Sequence, residues 1–234
     1  MDESDLVYQL RVSFHLGNNI KVIELAKEYS SMNMTSDDSL GLTILYRALV
    51  KMGNNFTKYI DDLNLRNHKA QLKMCFDYIA PLNKQVTTEE ANKLYTKFKS
   101  SVTEDSPVAR LIESLLLIAK KDYEAFMKLD PESKSIERWG MLFQCFMQLH
   151  RVDLMEKALN KMKNLPGGSE DVLTSLCEIY HKIYARKYED ALDMIEVTKG
   201  TFEEAAKLLN LRATVLMLMG NFKEAQSLLS KLQQ

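Results

Sequence analysis

The chain has 234 residues, and its 31 basic and 32 acidic side chains give a formal net charge of −1. This balance does not indicate a protein that binds nucleic acid or adheres to an anionic membrane surface. Only 8 Gly and 4 Pro occur beside 46% hydrophobic residues, a composition that favours a folded chain of helices.

Cysteine usage and the lack of long apolar runs indicate the compartment. Cys75, Cys145 and Cys177 are odd in number and far apart, which fits a reducing environment rather than a disulfide framework. The acidic start MDESD is not followed by the apolar run of a secretory signal. No stretch approaches the roughly 18 apolar residues that a membrane span needs. A cytoplasmic protein is therefore expected.

Two helical hairpins are predicted at the start of the chain. Apolar residues at helical spacing over 6–29 are interrupted by a turn at Gly17, a residue type that tolerates the left-handed conformation. The same arrangement recurs over 40–63 with its turn at Gly53. The two glycines are 36 residues apart, close to the length of a tetratricopeptide repeat.

The middle of the chain is less regular. A helix over 69–80 cannot continue through Pro81, and the sequence TTEE at 87–90 predicts the capped start of the next helix. Ser106 followed by Pro107 begins a strongly apolar helix.

The turns of the later hairpins continue the repeat. The turn near Lys121 lies 68 residues after Gly53, which is two repeats. The next turn, at His150, comes only 29 residues later, so the helix that begins at Tyr123 must be short. Further turns follow at residue 186 and at Gly220.

Two details concern the last third of the chain. The loop 165–169 is interpreted as a link between repeats, with a domain boundary as the less favoured alternative. In the hairpin 208–232, Ala213 and Ala225 allow two helix backbones to approach closely, and Phe222 is expected to point inward.

The fold class predicted from these spacings is all-α. The chain is expected to form an α-solenoid of about seven tetratricopeptide-like helix hairpins, coiled as a right-handed superhelix in a single domain over 1–234.

The motifs of common enzymes are absent from the sequence. Neither a G-x-x-x-x-G-K phosphate loop nor a G-x-S-x-G nucleophile motif occurs. Cys177 and His181 lie four residues apart, but a structural zinc site requires four ligands, so we interpret them as a packed cysteine beside a partly exposed histidine. Catalysis, cofactors and metal ions are not expected.

Candidate partner-binding residues are predicted on the first helix of each hairpin, which lines the concave face of a tetratricopeptide array. Arg11 and Arg47 occupy the same position in the first two repeats, and either a partner or a nearby acidic side chain could pair with them. The full predicted set is Arg11, Phe14, Arg47, Val50, Tyr180, Ile183 and Met217.

Several segments resemble the epsilon-subunit family of coatomer, the coat of Golgi-derived transport vesicles. Two of them, LYRA at 45–48 and MCFDYIA at 74–80, lie outside the generic repeat pattern. The others are LR at 10–11 with F-x-LG at 14–17, RVDL at 151–154 with Lys157 and Leu159, and GNFKEA at 220–225.

The resemblance implies a non-enzymatic scaffold without a cofactor. Its partner would be the C-terminal region of the coatomer alpha subunit, with no nucleic acid and only indirect membrane association. The protein would then be cytoplasmic and peripheral on Golgi membranes and coated vesicles. Because members of the family usually continue past the equivalent of Gln234, the apolar face of 228–232 is expected to be covered by a partner, by a dimer contact or by a further part of a longer chain.

Two other functions remain open. One is a tetratricopeptide adaptor that binds peptide tails, as co-chaperones do, and the other is an attachment adaptor of membrane fusion. The later concave positions are apolar: Leu176, Tyr180, Ile183 and Met217. That composition favours a folded or hydrophobic segment over a charged tail.

Overall fold

The computed structural model describes residues 3–31, 39–52, 69–84, 86–102, 106–131, 133–202 and 205–231. These residues contain thirteen α-helices and no β-strand, so the predicted all-α fold class is confirmed. The predicted turn at Gly53 and its return helix over 56–63 lie outside the described residues.

The helices are numbered in chain order. They are α1 (Glu3–His15), α2 (Asn19–Ser31), α3 (Ser39–Met52), α4 (Lys69–Tyr78), α5 (Thr88–Ser101), α6 (Pro107–Ala119), α7 (Tyr123–Leu129), α8 (Ile136–Gln148), α9 (Val152–Lys163), α10 (Val172–Tyr184), α11 (Tyr188–Phe202), α12 (Ala206–Leu218) and α13 (Phe222–Lys231). Short 3-10 turns follow α4 at Pro81–Asn83 and α9 at Gly168–Glu170.

Side-chain caps begin several of these helices. Thr87 forms the predicted capping box, in which its hydroxyl accepts a bond from the Glu90 N–H while the Glu90 carboxylate accepts one from the Thr87 N–H. Ser106 caps α6 immediately before Pro107, as predicted. As expected from the early turn at His150, α7 is short, with seven residues.

Left-handed residues end the first helix of five hairpins, at every described turn that the repeat spacing predicts. The φ angles are 87° at Gly17, 63° at Lys121, 53° at His150, 60° at Arg186 and 85° at Gly220. After α6, α8, α10 and α12 the turn also carries the two reversed bonds of a Schellman motif; in the last turn, Gly220 N–H donates to Met217 O and Asn221 N–H to Leu216 O.

Packing divides the chain into two compact units. Unit 1 comprises residues 1–14 and 19–131, and unit 2 comprises residues 15–18 and 132–234. The core of unit 1 runs through buried apolar residues of α1 to α6, from Leu6 to Leu116. A single domain over 1–234, the number of repeats and the handedness of a superhelix stay predictions.

Unit 2 is a continuous stack of helices. Each helix from α8 to α13 packs on the next one along the chain, and α8 also packs on α10. The loop 165–169 lies inside this unit and is a link between two hairpins, as predicted. A Cβ atom at Gly168 would overlap the carbonyl oxygen of Met162, so this close approach requires glycine.

Small residues sit where the last hairpin was expected to pack tightly. Ala213 and Ala225 are 0% and 1% exposed, which confirms their predicted role. The prediction for Phe222 is wrong, because its side chain is 67% exposed. Phe222 is the first residue of α13, and side chains tilt toward the N-terminus of their helix. Its ring is therefore directed past the helix end rather than onto α12.

Candidate functional site

The predicted partner-binding residues share a defined place in the hairpins. Five of the seven lie three or six residues before a left-handed turn residue. Arg47 and Val50 have the same spacing from Gly53, which lies outside the described residues. The spacing places each of them on one face of the first helix of its hairpin. We call this face the pre-turn stripe. Its residues are Arg11, Phe14, Arg47, Val50, Leu115 and Ile118 in unit 1, and Gln144, Met147, Tyr180, Ile183, Thr214 and Met217 in unit 2.

The prediction from the sequence did not include five residues of the pre-turn stripe. Gln144 and Met147 precede the turn at His150, and Thr214 precedes the turn at Gly220. Leu115 and Ile118 precede the turn at Lys121 in the same way. Counting back from each turn would have found them, because the turn spacing was already known.

In unit 1 the stripe is largely covered by its own neighbours. Phe14 and Val50 are each 3% exposed. The guanidinium carbon of Arg47 lies 4.5 Å from the centre of the Phe14 ring, and the ammonium of Lys51 lies 4.3 Å from it. Two cations therefore stack on one buried ring. Arg11, Arg47, Leu115 and Ile118 are half-buried and bring this part of the stripe toward the surface.

In unit 2 the stripe is more open. Tyr180 and Ile183 on α10 are half-buried, and Met217 on α12 is 41% exposed. Burial raises the pKa of the Tyr180 hydroxyl, so this group is a neutral hydrogen-bonding partner near pH 7. In unit 2, the stripe residue three positions before each turn is therefore apolar. The stripe residue six positions before each turn is polar or aromatic.

The cysteines of the chain are buried and unreactive. Cys75, Cys145 and Cys177 are free thiols, and burial raises the pKa of each to about 12. A thiol with such a pKa stays protonated near neutral pH and is a poor nucleophile or metal ligand. Cys177 is 4% exposed beside a half-buried His181, which agrees with the interpretation of a packed cysteine.

Unit 2 also contains a small buried polar cluster. His15 Nε2 lies 2.7 Å from Glu137 Oε1, and the Lys207 ammonium donates to the His15 carbonyl oxygen at 2.9 Å. Burial lowers the pKa of Lys207, while the nearby Cys177 acts in the opposite direction. These polar groups are hydrogen-bonded to one another, as buried polar groups in folded proteins generally are.

The described part of the chain has neither a membrane-spanning helix nor a cluster of metal-binding side chains. None of its helices combines the length and the apolar composition needed to cross a membrane. In the same residues, no three His, Cys, Asp or Glu side chains are grouped so that they could hold a metal ion.

Known proteins similar to this chain belong to one family. The family model described as coatomer epsilon subunit matches residues 3–233. "Coatomer subunit epsilon-2" of Oryza sativa subsp. indica is 24% identical over 233 residues, which cover 96% of this chain and 76% of the rice protein. The epsilon-2 protein of Arabidopsis thaliana is 24% identical over 235 residues, with the same two shares. "Coatomer subunit epsilon" of Dictyostelium discoideum is 25% identical over 234 residues, covering 96% and 77%.

The match extends from the first described helix through the last one. It includes both groups of segments on which the resemblance rested, and the expected family is confirmed. On that evidence, the chain belongs to the coatomer epsilon subunit family.

Proposed function

We propose that this chain is a non-enzymatic scaffold subunit of the coatomer (COPI) coat that binds and stabilises the C-terminal region of the alpha subunit. The family match over residues 3–233 carries this proposal. In this role the protein is cytoplasmic and reaches Golgi membranes and coated vesicles only through the coat. It serves Golgi-to-ER and intra-Golgi transport.

The contact surface in this proposal is the pre-turn stripe of unit 2. Its exposed or half-buried apolar members, Met147, Ile183 and Met217, supply the apolar area that drives association between proteins. Gln144, Tyr180 and Thr214 add hydrogen-bonding groups between them. This composition suits a folded or apolar segment. Arg11 and Arg47 of unit 1 are proposed as additional contacts.

Co-expression with a C-terminal fragment of the alpha subunit tests the proposal. We expect the two chains to purify as one complex. Ile183→Glu combined with Met217→Glu should weaken the complex at least about a hundredfold, because charges would be buried against apolar partner groups. Val197→Glu is the matched control, since Val197 is 62% exposed on α11, a second helix of its hairpin.

The possible outcomes test the proposed function and the proposed contact surface separately. Failure of the two folded proteins to associate would contradict the proposed function. A complex that tolerates the Ile183 and Met217 changes as well as it tolerates Val197→Glu would contradict only the proposed contact surface.

A further inference from the structure

The three turns that join α8 to α9, α10 to α11 and α12 to α13 create a second surface, separate from the pre-turn stripe. Successive helices from α8 to α13 pack on one another, so they alternate in direction and their turns lie at the same end. A ring contact joins the first two turns, because the centres of His150 and Tyr184 are 6.1 Å apart. We call this end the turn-edge surface; it comprises Leu149, Arg186, Lys187, Leu218, Phe222 and Lys223.

Half of the turn-edge surface is apolar. Leu149 is 47% exposed, Leu218 is 50% exposed and Phe222 is 67% exposed. Single exposed apolar residues are ordinary, but here they occur at two of the three turns. An aromatic ring exposed to this extent is a typical anchor for a binding partner.

The other half has a surplus of positive charge. Three acidic side chains near these turns are paired: Asp153 with Arg151 at 2.6 Å, Asp190 with Lys182 at 3.1 Å, and Glu224 with Arg212 at 3.3 Å. Glu189, close to the second turn, is an exposed acid for which the described residues supply no ion pair. Within the described residues, Arg186, Lys187 and Lys223 form no ion pair, and all three are exposed. Their charges remain available to an acidic partner.

The backbone at the second turn is in a conformation that its residue disfavours. Arg186 has a φ of 60°, in the left-handed region that side chains with a Cβ atom disfavour. Glycine occupies the equivalent place at Gly17 and Gly220 without that cost. Lys121 and His150 share this conformation, so it is a general feature of these turns; at Arg186 it places an exposed guanidinium directly after the end of α10.

We propose that the turn-edge surface docks an acidic peptide segment that carries apolar anchor residues. Carboxylates of the segment pair with Arg186, Lys187 and Lys223, and its apolar side chains contact Phe222 and its neighbours. A membrane fits less well, because lipid-binding clusters use about four to eight basic residues. Only three spare cations occur on this surface, at two of its turns.

Fluorescence anisotropy with a defined probe tests this proposal on the full chain. The probe is a fluorescein-labelled peptide in which glutamates alternate with phenylalanine and leucine, and its control has glutamine in place of every glutamate. We expect a Kd of about 10–100 µM for the acidic peptide and at least about tenfold weaker binding of the control. High salt should weaken binding of the acidic peptide.

Two sets of variants locate the site. Arg186→Glu with Lys187→Glu should weaken binding at least about tenfold, whereas Lys157→Glu with Lys161→Glu, the same charge change at exposed positions of α9, should not. Arg186→Gly should weaken binding about threefold while raising the melting temperature by about 1–2 °C, because it removes both the charge and the backbone strain.

Three results would overturn the proposal. They are equal binding of the acidic and amide peptides, equal loss in the two charge-reversed variants, and binding to phosphatidylserine vesicles without binding of the peptide. Circular dichroism of each variant verifies that it is folded before its affinity is compared.

Discussion

Phe14 shows how one residue of the pre-turn stripe can belong to the core. Its ring is buried against apolar neighbours of unit 1, and the charged groups of Arg47 and Lys51 both lie within 4.5 Å of its centre. A cation over an aromatic ring contributes about 0.5–2 kcal/mol, more when the pair is desolvated. The sequence predicted Phe14 and Arg47 as two of seven partner-binding residues. The structure shows a contact between the two side chains.

Phe14→Leu should therefore destabilise the protein more than an ordinary phenylalanine truncation does. Phe143→Leu is the matched control, because Phe143 is 0% exposed and has no cation on its ring among the described residues. We expect the Phe14 variant to lose about 1–2 kcal/mol more of its unfolding free energy than the control. Urea unfolding measures both values, and equal losses would show that the cations add nothing.

At the scale of elements, the hairpin turns determine where each helix ends. The left-handed residue allows two reversed bonds to satisfy carbonyls at the C-terminus of the first helix. Glycine meets this requirement at Gly220, whereas Lys121 and His150 adopt the same conformation at a cost. The repeat spacing fixed these positions more reliably than residue type did.

Two glycines in the same part of the chain should respond oppositely to alanine. Gly220→Ala should lower the unfolding free energy by about 1 kcal/mol, because a Cβ atom opposes its φ of 85°. Gly200→Ala should raise it by about 0.5–1 kcal/mol, since Gly200 lies within α11 with open space around its Cβ position. Thermal unfolding of the two variants measures both signs, and a shared sign would contradict this account of the turn.

Periodicity predicted which segments are helices better than it predicted which side chains are buried. α12 carries apolar residues on most of its sides, so spacing alone could not show that Leu208 is buried while Leu218 is half exposed. The exposure of Phe222 depends on its place at the helix start, which a pattern of apolar positions does not encode. The division into two units depends on packing between segments that are distant in the sequence. The sequence of the loops therefore contains no pattern that marks the boundary.

The candidate site shows the same distinction. The spacing of each residue from its turn could be counted in the sequence. That spacing assigns each of the seven predicted residues to the same face of the first helix of its hairpin. How far each side chain is covered depends on neighbours from other helices. Lys51 is one such neighbour, since it closes the ring of Phe14 from one helical turn beyond Arg47. Sequence spacing alone could not have shown that contact.

At the scale of the molecule, unit 2 behaves as a one-dimensional stack. Each helix from α8 to α13 packs on the next one. The contact between α8 and α10 also links two neighbouring hairpins. In such an array the free energy of folding is approximately a sum of terms from each hairpin and from its neighbours. A local disturbance should therefore spread only as far as the helices it touches.

Ala191 and Ala225 allow this expectation to be tested. Both are at most 1% exposed, and tryptophan at either position should force two helices apart at a cost of about 1–3 kcal/mol. Because α13 packs on α12, Ala225→Trp should accelerate hydrogen exchange mainly in α12 and α13. Ala191→Trp should accelerate exchange in α10, α11 and α12, since α11 lies between the other two in the stack.

Hydrogen exchange followed by mass spectrometry distinguishes the two patterns. A uniform increase over α8 to α13 in both variants would mean that unit 2 unfolds as one body, and an unchanged melting temperature would mean that the assigned helix contacts are wrong.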